Sequence, residues 1–332
     1  MLSGIVNTSE LYEHLVVLNN PYWILLGQFV TANTVLSDIN EIYTGYVLAG
    51  NKWFDSSAKL QYDQRVKQAK PEEVADAEGK ARAMAEQFIV WAKQNKYKGF
   101  VNKVWWTARP NSMTSAVGRF VDQKKNPTDI LVKFNDGPAD GFLGLSAKAT
   151  QGSGDIGFKN PGVGTIDTSL ELNLANQYKI LLQETITQYN LPNPATERKI
   201  YIRTHPEVKK ETEEIGVKMM ADMRDKLLER MLKFKQQELL KYLLSDWMDA
   251  EVQYPPYIKV TGQGKKEPYA ATVMDPVKNE KLDALSKYPI TLEKVGNESI
   301  GVKAGDKKIM KIRFKFESEK MASSLKLSGD PW

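Results

Sequence analysis

Residues 126–137 read NPTDILVKFNDG, and residues 141–149 read GFLGLSAKA. The run Asp129 to Phe134 and the run Gly141 to Ala149 are short, apolar and partly β-branched, as strands are. Asn135-Asp136-Gly137 between them is a strong turn signal, so the two runs are expected to pair as a β-hairpin. An aspartate, Asp129, opens the first strand, and a lysine, Lys148, stands near the end of the second. Strands joined by a tight turn are antiparallel, so those two ends converge on one point.

Working outward, Val101 to Thr107 (VNKVWWT) reads as a strand before the hairpin. A helix is expected from Pro71, with Glu72 and Glu73 in its first turn, to about Tyr97. Another helical pattern runs from Ser9 to Gly50, where Leu36, Ile39, Ile42 and Tyr43 recur at helical spacing. Beyond the hairpin, the glycine-rich loop Gln151 to Gly164 precedes a helix expected from an N-cap at Thr168 to Tyr189. Lys199 to Arg203 (KIYIR) reads as a short strand. Pro206 to about Ala250 is helical and long enough to need a kink or a break, with Met219, Met223, Leu227 and Met231 in one stripe. The remainder is β-like, most clearly Ile309 to Phe316, where Ile312, Phe314 and Phe316 alternate with Lys311, Arg313 and Lys315.

Composition narrows the chemistry. The 332 residues are 42% hydrophobic and 26% charged, ordinary for a folded chain. There is no cysteine, so disulfides, thiolate metal sites and cysteine nucleophiles are excluded; this fits a reducing compartment such as the cytoplasm, that of a host cell if the chain is phage-encoded. Two histidines cannot build a multi-histidine metal site, so any metal must be held by oxygen, which favours a hard cation such as Mg²⁺. The net charge of +5 is compatible with a polyanionic partner. The most apolar run, Tyr22 to Val30, is too short to cross a bilayer and contains Gln28, and no leader is expected at Met1 to Glu10. The glycine-rich loop fits neither GxxxxGK[ST] nor a GxGxxG set between strand and helix, so no nucleotide cofactor is expected.

An aspartate and a lysine converging at one hairpin end suit phosphodiester hydrolysis. The carboxylate can hold a divalent cation that polarises the phosphoryl oxygen, and the lysine can orient or deprotonate water. Pro127-Thr128-Asp129, a hairpin, then Ser146-Ala147-Lys148 resembles the PD-(D/E)XK motif of the restriction-endonuclease-like nucleases. The resemblance extends from about Ser37 to Thr204 and implies an α/β fold with an αβββαβ core. It implies Mg²⁺ (or Mn²⁺) as cofactor, DNA as substrate, Asp129 as a metal ligand and Lys148 as the catalytic lysine. The family usually carries Asp or Glu two residues before the lysine, and here that place is taken by Ser146. Branches with Ser-x-Lys use an acid further downstream, for which Asp155, Asp167 and Glu171 are the candidates. Related nucleases also place a helix glutamate beside the metal, a role for Glu41, with Glu86 as its rival. The bland readings are strand and helix capping for Asp129 and Asp167, and a surface position for Glu41.

The expected division is a nuclease-like core at 1–205 and an extension of long helix and β-strands at 206–332 for DNA grip or dimerisation. Nucleic-acid contacts are expected from Arg109 and Arg119 beside Trp105 and Trp106, from Lys159 and Asn160 in the glycine-rich loop, and from the strand face Lys311, Arg313 and Lys315. Alternation along a strand would bury one of the two tryptophans and expose the other. The Met/Leu stripe is expected to be core packing or the seam of a homodimer, and the rivals to the nuclease are a nuclease fold that only binds DNA and a structural or assembly protein that uses this long helix.

Overall fold

The protein is described by a computed structural model covering residues 33–123, 125–152, 158–248, 250 and 253–332. The expected helical pattern of residues 9–32, including the apolar run at 22–30, lies outside the described residues, as does Asp155.

The fold is mixed α/β, with two sheets. Helix α1 (Asn33–Leu48) is followed by α2 (Ser56–Val66) and α3 (Pro71–Gln94). Helix α3 starts as its sequence dictates, with proline in the first turn and Glu72 and Glu73 against the positive end of the dipole. Its buried residues Val74, Ala77, Ala81, Met84, Ala85, Phe88 and Ala92 form one helical stripe. Helix α2, unforeseen in the sequence, is started by Asp55, whose carboxylate accepts from the Ser57 and Ala58 amides.

The first sheet holds β1 (Lys98–Trp106), β2 (Ile130–Asp136) and β3 (Phe142–Ala149), with the short helix α4 (Ser112–Val117) between β1 and β2. β1 pairs antiparallel with β2, and β2 with β3, in the register Ile130↔Leu145 and Val132↔Leu143. Ile130, Leu131 and Val132 are completely buried, because β2 is covered on both sides. On one face, Val104, Ile130, Val132, Leu143 and Leu145 pack against Met84 and Phe88 of α3.

Between β3 and the strand that pairs beside it come α5 (Val163–Leu170), α6 (Leu174–Gln188), α7 (Ala195–Thr204), α8 (Pro206–Leu232) and α9 (Gln236–Tyr242), the last running into one π-helical turn, Leu243–Trp247. Strand β4 (Tyr257–Gln263) then lies parallel to β3, and β5 (Ala270–Met274) closes the sheet in the order β1-β2-β3-β4-β5. The first sheet therefore draws two strands from beyond residue 205. After α10 (Glu280–Lys287), strands β6 (Ile290–Val295), β7 (Ser299–Ala304), β8 (Lys307–Phe316) and β9 (Leu325–Pro331) form a second, antiparallel sheet in chain order.

Two local expectations are corrected and a third is met. Lys199 to Arg203 is not a strand but part of α7. Its alternating pattern is overridden because Ile202 is buried against Leu191 and Ala322 while Arg198 donates to the carbonyls of Pro192, Asn193 and Met321. The helix expected from Thr168 is two helices, broken where Glu171 and Asn173 both take left-handed backbone (φ 58°). Thr168 lies inside α5 instead of capping a helix. The break expected between Pro206 and Ala250 falls between α8 and α9.

The Met/Leu stripe of α8 is core. Met219, Met223, Leu227 and Met231 are at most 5% exposed and pack with Ile300, Val302, Ile312, Phe314 and Leu327 of the second sheet. That seam is covered within the chain itself, which removes the stripe as a dimer surface. Among the described residues no helix is long and apolar enough to cross a membrane.

Candidate active site

The site begins with an elbow written in four residues, Asn126-Pro127-Thr128-Asp129. Asn126 is buried, and its side-chain oxygen accepts from the Thr128 amide (3.2 Å) and hydroxyl (2.7 Å). Its amide nitrogen donates to the Pro255 carbonyl at 2.9 Å, which fixes the elbow to the segment leading into β4. The Thr107 amide donates to the Asp129 carbonyl at 3.0 Å, and the Asp129 amide donates to the Leu145 carbonyl at 2.9 Å. Both neighbouring strands thus hold the aspartate's backbone at the mouth of β2.

Because Ile130 pairs with Leu145, Asp129 falls opposite Ser146. Its Oδ2 accepts from the Ala147 amide at 2.7 Å and from the Ser146 hydroxyl at 3.4 Å. The Lys148 ammonium stands 3.6 Å from the same oxygen, with the lysine side chain half exposed and the aspartate side chain 24% exposed. Ser146 is completely buried.

Glu41 arrives from α1 on the other side. The indole N–H of Trp106 donates to its Oε2 at 3.2 Å. Burial is the main cause that pushes the Glu41 carboxyl up to about 8, and the charge of Asp129 adds to it, against the opposing pull of Trp106 and Lys148. Burial likewise raises the Asp129 carboxyl, opposed by Lys148 and the Ala147 amide. The negative charge of Asp129 thus makes the buried Glu41 carboxyl harder to ionise, while Lys148 opposes the effect at both carboxyl groups.

A cavity of about 470 Å³ opens here, bounded by Asn40, Glu41, Glu73, Asp76, Lys80 and Lys148 among others. Lys80 is nearly inaccessible and pairs with Asp76 at 2.7 Å, so this lysine is neutralised by a neighbour one turn away on α3. Three groups of this neighbourhood were not foreseen. Trp106 was read as a stacking or core residue, and its role as donor to Glu41 needs the fold. The Asp76–Lys80 pair carried only the common i, i+4 signature. Lys259, set opposite Ser146 on β4, is 3% exposed, and burial, then the charges of Lys148 and Lys159, lower its ammonium to about 8. A lysine inside the apolar run Tyr257-Ile258-Lys259-Val260 was the available signal.

No family model matches this chain, and no curated protein matches it.

The other candidates are placed elsewhere. Asp167 lies in α5, whose buried Ile166 and Leu170 belong to the core of the second sheet, and its two carboxylate oxygens accept from the Leu174 (2.7 Å) and Ala175 (2.6 Å) amides. It starts α6. Glu171 is the left-handed residue that ends α5. Neither lines the cavity beside Glu41 and Lys148. Glu86 is exposed on α3 and faces a different depression with Arg82 and Tyr269.

Of the expected nucleic-acid contacts, Arg109 is exposed, 4.0 Å from Asp55, and lines a pocket with both tryptophans. Trp105 and Trp106 are both half-buried, because β1 is the outer strand and each ring finds a different neighbour, Phe142 for one and Glu41 for the other. Arg119 is exposed, its guanidinium over the Tyr254 ring at 3.2 Å. Lys159 donates to the Ser245 carbonyl at 2.7 Å, and its backbone is stitched to Trp247 and Gly329; Asn160 is exposed. Lys311, Arg313 and Lys315 lie on β8 of the second sheet, Arg313 paired with Asp330 at 2.9 Å.

Proposed function

We propose that this protein is a divalent-metal-dependent deoxyribonuclease that hydrolyses DNA phosphodiesters, an endonuclease of the restriction, phage or mobile-element kind. Its core would be restriction-endonuclease-like, with β1–β3 as the antiparallel meander and β4, in place of residues 199–203, as the strand parallel to β3. The observation that carries the reading is that Glu41 and Lys148, from a helix and a strand, line one cavity, with Asp129 held 3.6 Å from the Lys148 ammonium behind it.

The residues fit a hard cation. The donor set is oxygen only, and a Mg²⁺ ion keeps several waters and needs only one or two carboxylates. Asp129 and Glu41, which disfavour each other's charge, are the pair that would hold it, since a cation lets both ionise. Bound there, it would polarise the phosphoryl oxygen and acidify the attacking water. Lys148, half exposed and tied to Asp129, is placed to take or orient the water's proton and to offset charge growing on the phosphate. The Ala147 amide and Ser146 hydroxyl keep Asp129 oriented.

One second reading has an observation behind it: a nuclease fold that binds DNA without cutting it. Ser146 stands where an acid is usual, and among the described residues no group of three or more metal-binding side chains occurs. Nicking of supercoiled plasmid in Mg²⁺ or Mn²⁺ against EDTA separates the two. The nuclease loses about 10²-fold or more with Asp129→Ala and with Lys148→Ala in folded protein. No metal-dependent nicking, or nicking that survives both substitutions, overturns the proposal.

A further inference from the structure

Along the outer strand β1 lies a second pocket, of about 260 Å³, which Trp106 also lines. It is smaller than the roughly 300–1,000 Å³ of pockets for drug-sized ligands. Trp105 and Trp106, whose side chains leave opposite faces of β1, both line it, and Arg109 and Asp55 are its charged residues. One residue links the pocket to the candidate active site, because Trp106, which lines the pocket, also donates to Glu41.

The rim has an unused acceptor. Oδ1 of Asp55 takes the Ser57 amide (2.7 Å), the Ala58 amide (2.9 Å) and the Ser57 hydroxyl, whereas Oδ2 accepts nothing among the described residues. The Asp55 side chain is 47% exposed, and those hydrogen bonds, the Ser57 hydroxyl first, hold its carboxyl below the ordinary range, so it is ionised at neutral pH. Arg109, 57% exposed, brings its donors to within 4.0 Å of the same carboxylate. A tryptophan, a free carboxylate oxygen and a guanidinium lining one pocket form the complement of one heteroaromatic ring with both donors and acceptors on its edge.

We propose that this pocket receives one unstacked nucleobase of the substrate strand, next to the phosphodiester held at Glu41 and Asp129, and that guanine fills it best. The proposal rests on the nuclease reading for the identity of that phosphodiester. Tryptophan faces stack on any base. Guanine alone among the DNA bases combines an N1–H and an N2 amino group for the carboxylate with an O6 acceptor for the guanidinium. Adenine would turn its N1 lone pair toward Asp55, and a pyrimidine would bring a smaller ring face to the tryptophan.

The test is fluorescence anisotropy of short, end-labelled single-stranded oligothymidylates carrying one central guanine, adenine or abasic site. It uses the full chain in EDTA, so that nothing is cut. The guanine oligonucleotide is expected to bind about tenfold more tightly than the abasic one. Asp55→Asn, which keeps the helix cap, and Arg109→Ala, at an exposed position, each erase that difference while leaving the melting temperature unchanged. Trp105→Leu lowers affinity for the guanine and adenine oligonucleotides alike. Equal affinity of wild type for all three oligonucleotides overturns the proposal, and so does a guanine preference that survives both Asp55→Asn and Arg109→Ala. Plasmid nicking decides the nuclease reading separately: nicking without guanine preference removes the pocket alone, and guanine preference without nicking removes the nuclease alone.

Discussion

Glu41→Gln probes the centre of the site through stability instead of turnover. In the folded, metal-free protein the Glu41 carboxyl is pushed up to about 8, first by burial and then by Asp129, from an ordinary value of 4.5. A carboxyl raised on folding binds its proton in the native state while the unfolded chain has released it, so stability is full below the ordinary value and falls as pH rises through about 8. One proton corresponds to about 1.4 kcal/mol per pH unit, so between pH 5 and pH 8 wild type loses roughly 3–4 kcal/mol on this account. Glutamine keeps the shape and can still accept from the Trp106 indole, but it has no proton to lose. Urea unfolding in EDTA, at intervals from pH 5 to 8.5, should therefore give a falling curve for wild type and a much flatter one for Glu41→Gln. The variant should be the more stable protein at pH 8. Millimolar Mg²⁺ should reverse that order, because a ligand at about a hundred times its Kd stabilises the wild-type pair by roughly 2.7 kcal/mol and finds only one carboxylate in the variant. Parallel pH curves for the two proteins would refute the argument that Glu41 and Asp129 share a buried, mutually opposed site.

Asp167→Ala should cost about 0.5–2 kcal/mol, the worth of a helix cap, and leave nicking by the folded protein unchanged; a loss of Mg²⁺ binding would return Asp167 to the ligand set. Gly144→Ala would set a Cβ 2.1 Å from the Thr128 hydroxyl oxygen and 2.9 Å from the Tyr257 Cβ. It should therefore destabilise by roughly 1–3 kcal/mol and slow nicking by moving the elbow that carries Asp129, measured as a denaturation midpoint and a single-turnover rate. Met223→Ala, in the core of the second sheet, should cost roughly 2–5 kcal/mol in urea unfolding without altering the rate of protein that remains folded.

What the sequence by itself determined is the part of this protein with short-range causes. A turn signal between two apolar runs makes a hairpin, although Asn135 and Asp136 extend β2 and the chain turns at Ala139–Gly141, and antiparallel pairing brings Asp129 beside Ser146 and Lys148. The proline and paired glutamates that open α3, and the alternation along β8, are equally local. Where local patterns competed, they misled. KIYIR alternates as a strand does, yet the burial of Ile202 and the carbonyls around Arg198 make it a helix. Asp167 looked like a candidate ligand until the break at Glu171 showed which helix it starts. Only the tertiary structure decided that Glu41 and not Glu86 faces Asp129, because that depends on which side α1 and α3 turn to the sheet. It alone decided that residues 257–263 supply the strand parallel to β3. A parallel neighbour cannot be made by a tight turn; it must return through a crossover, here residues 150–256, and no spacing in the sequence encodes where such a crossover ends.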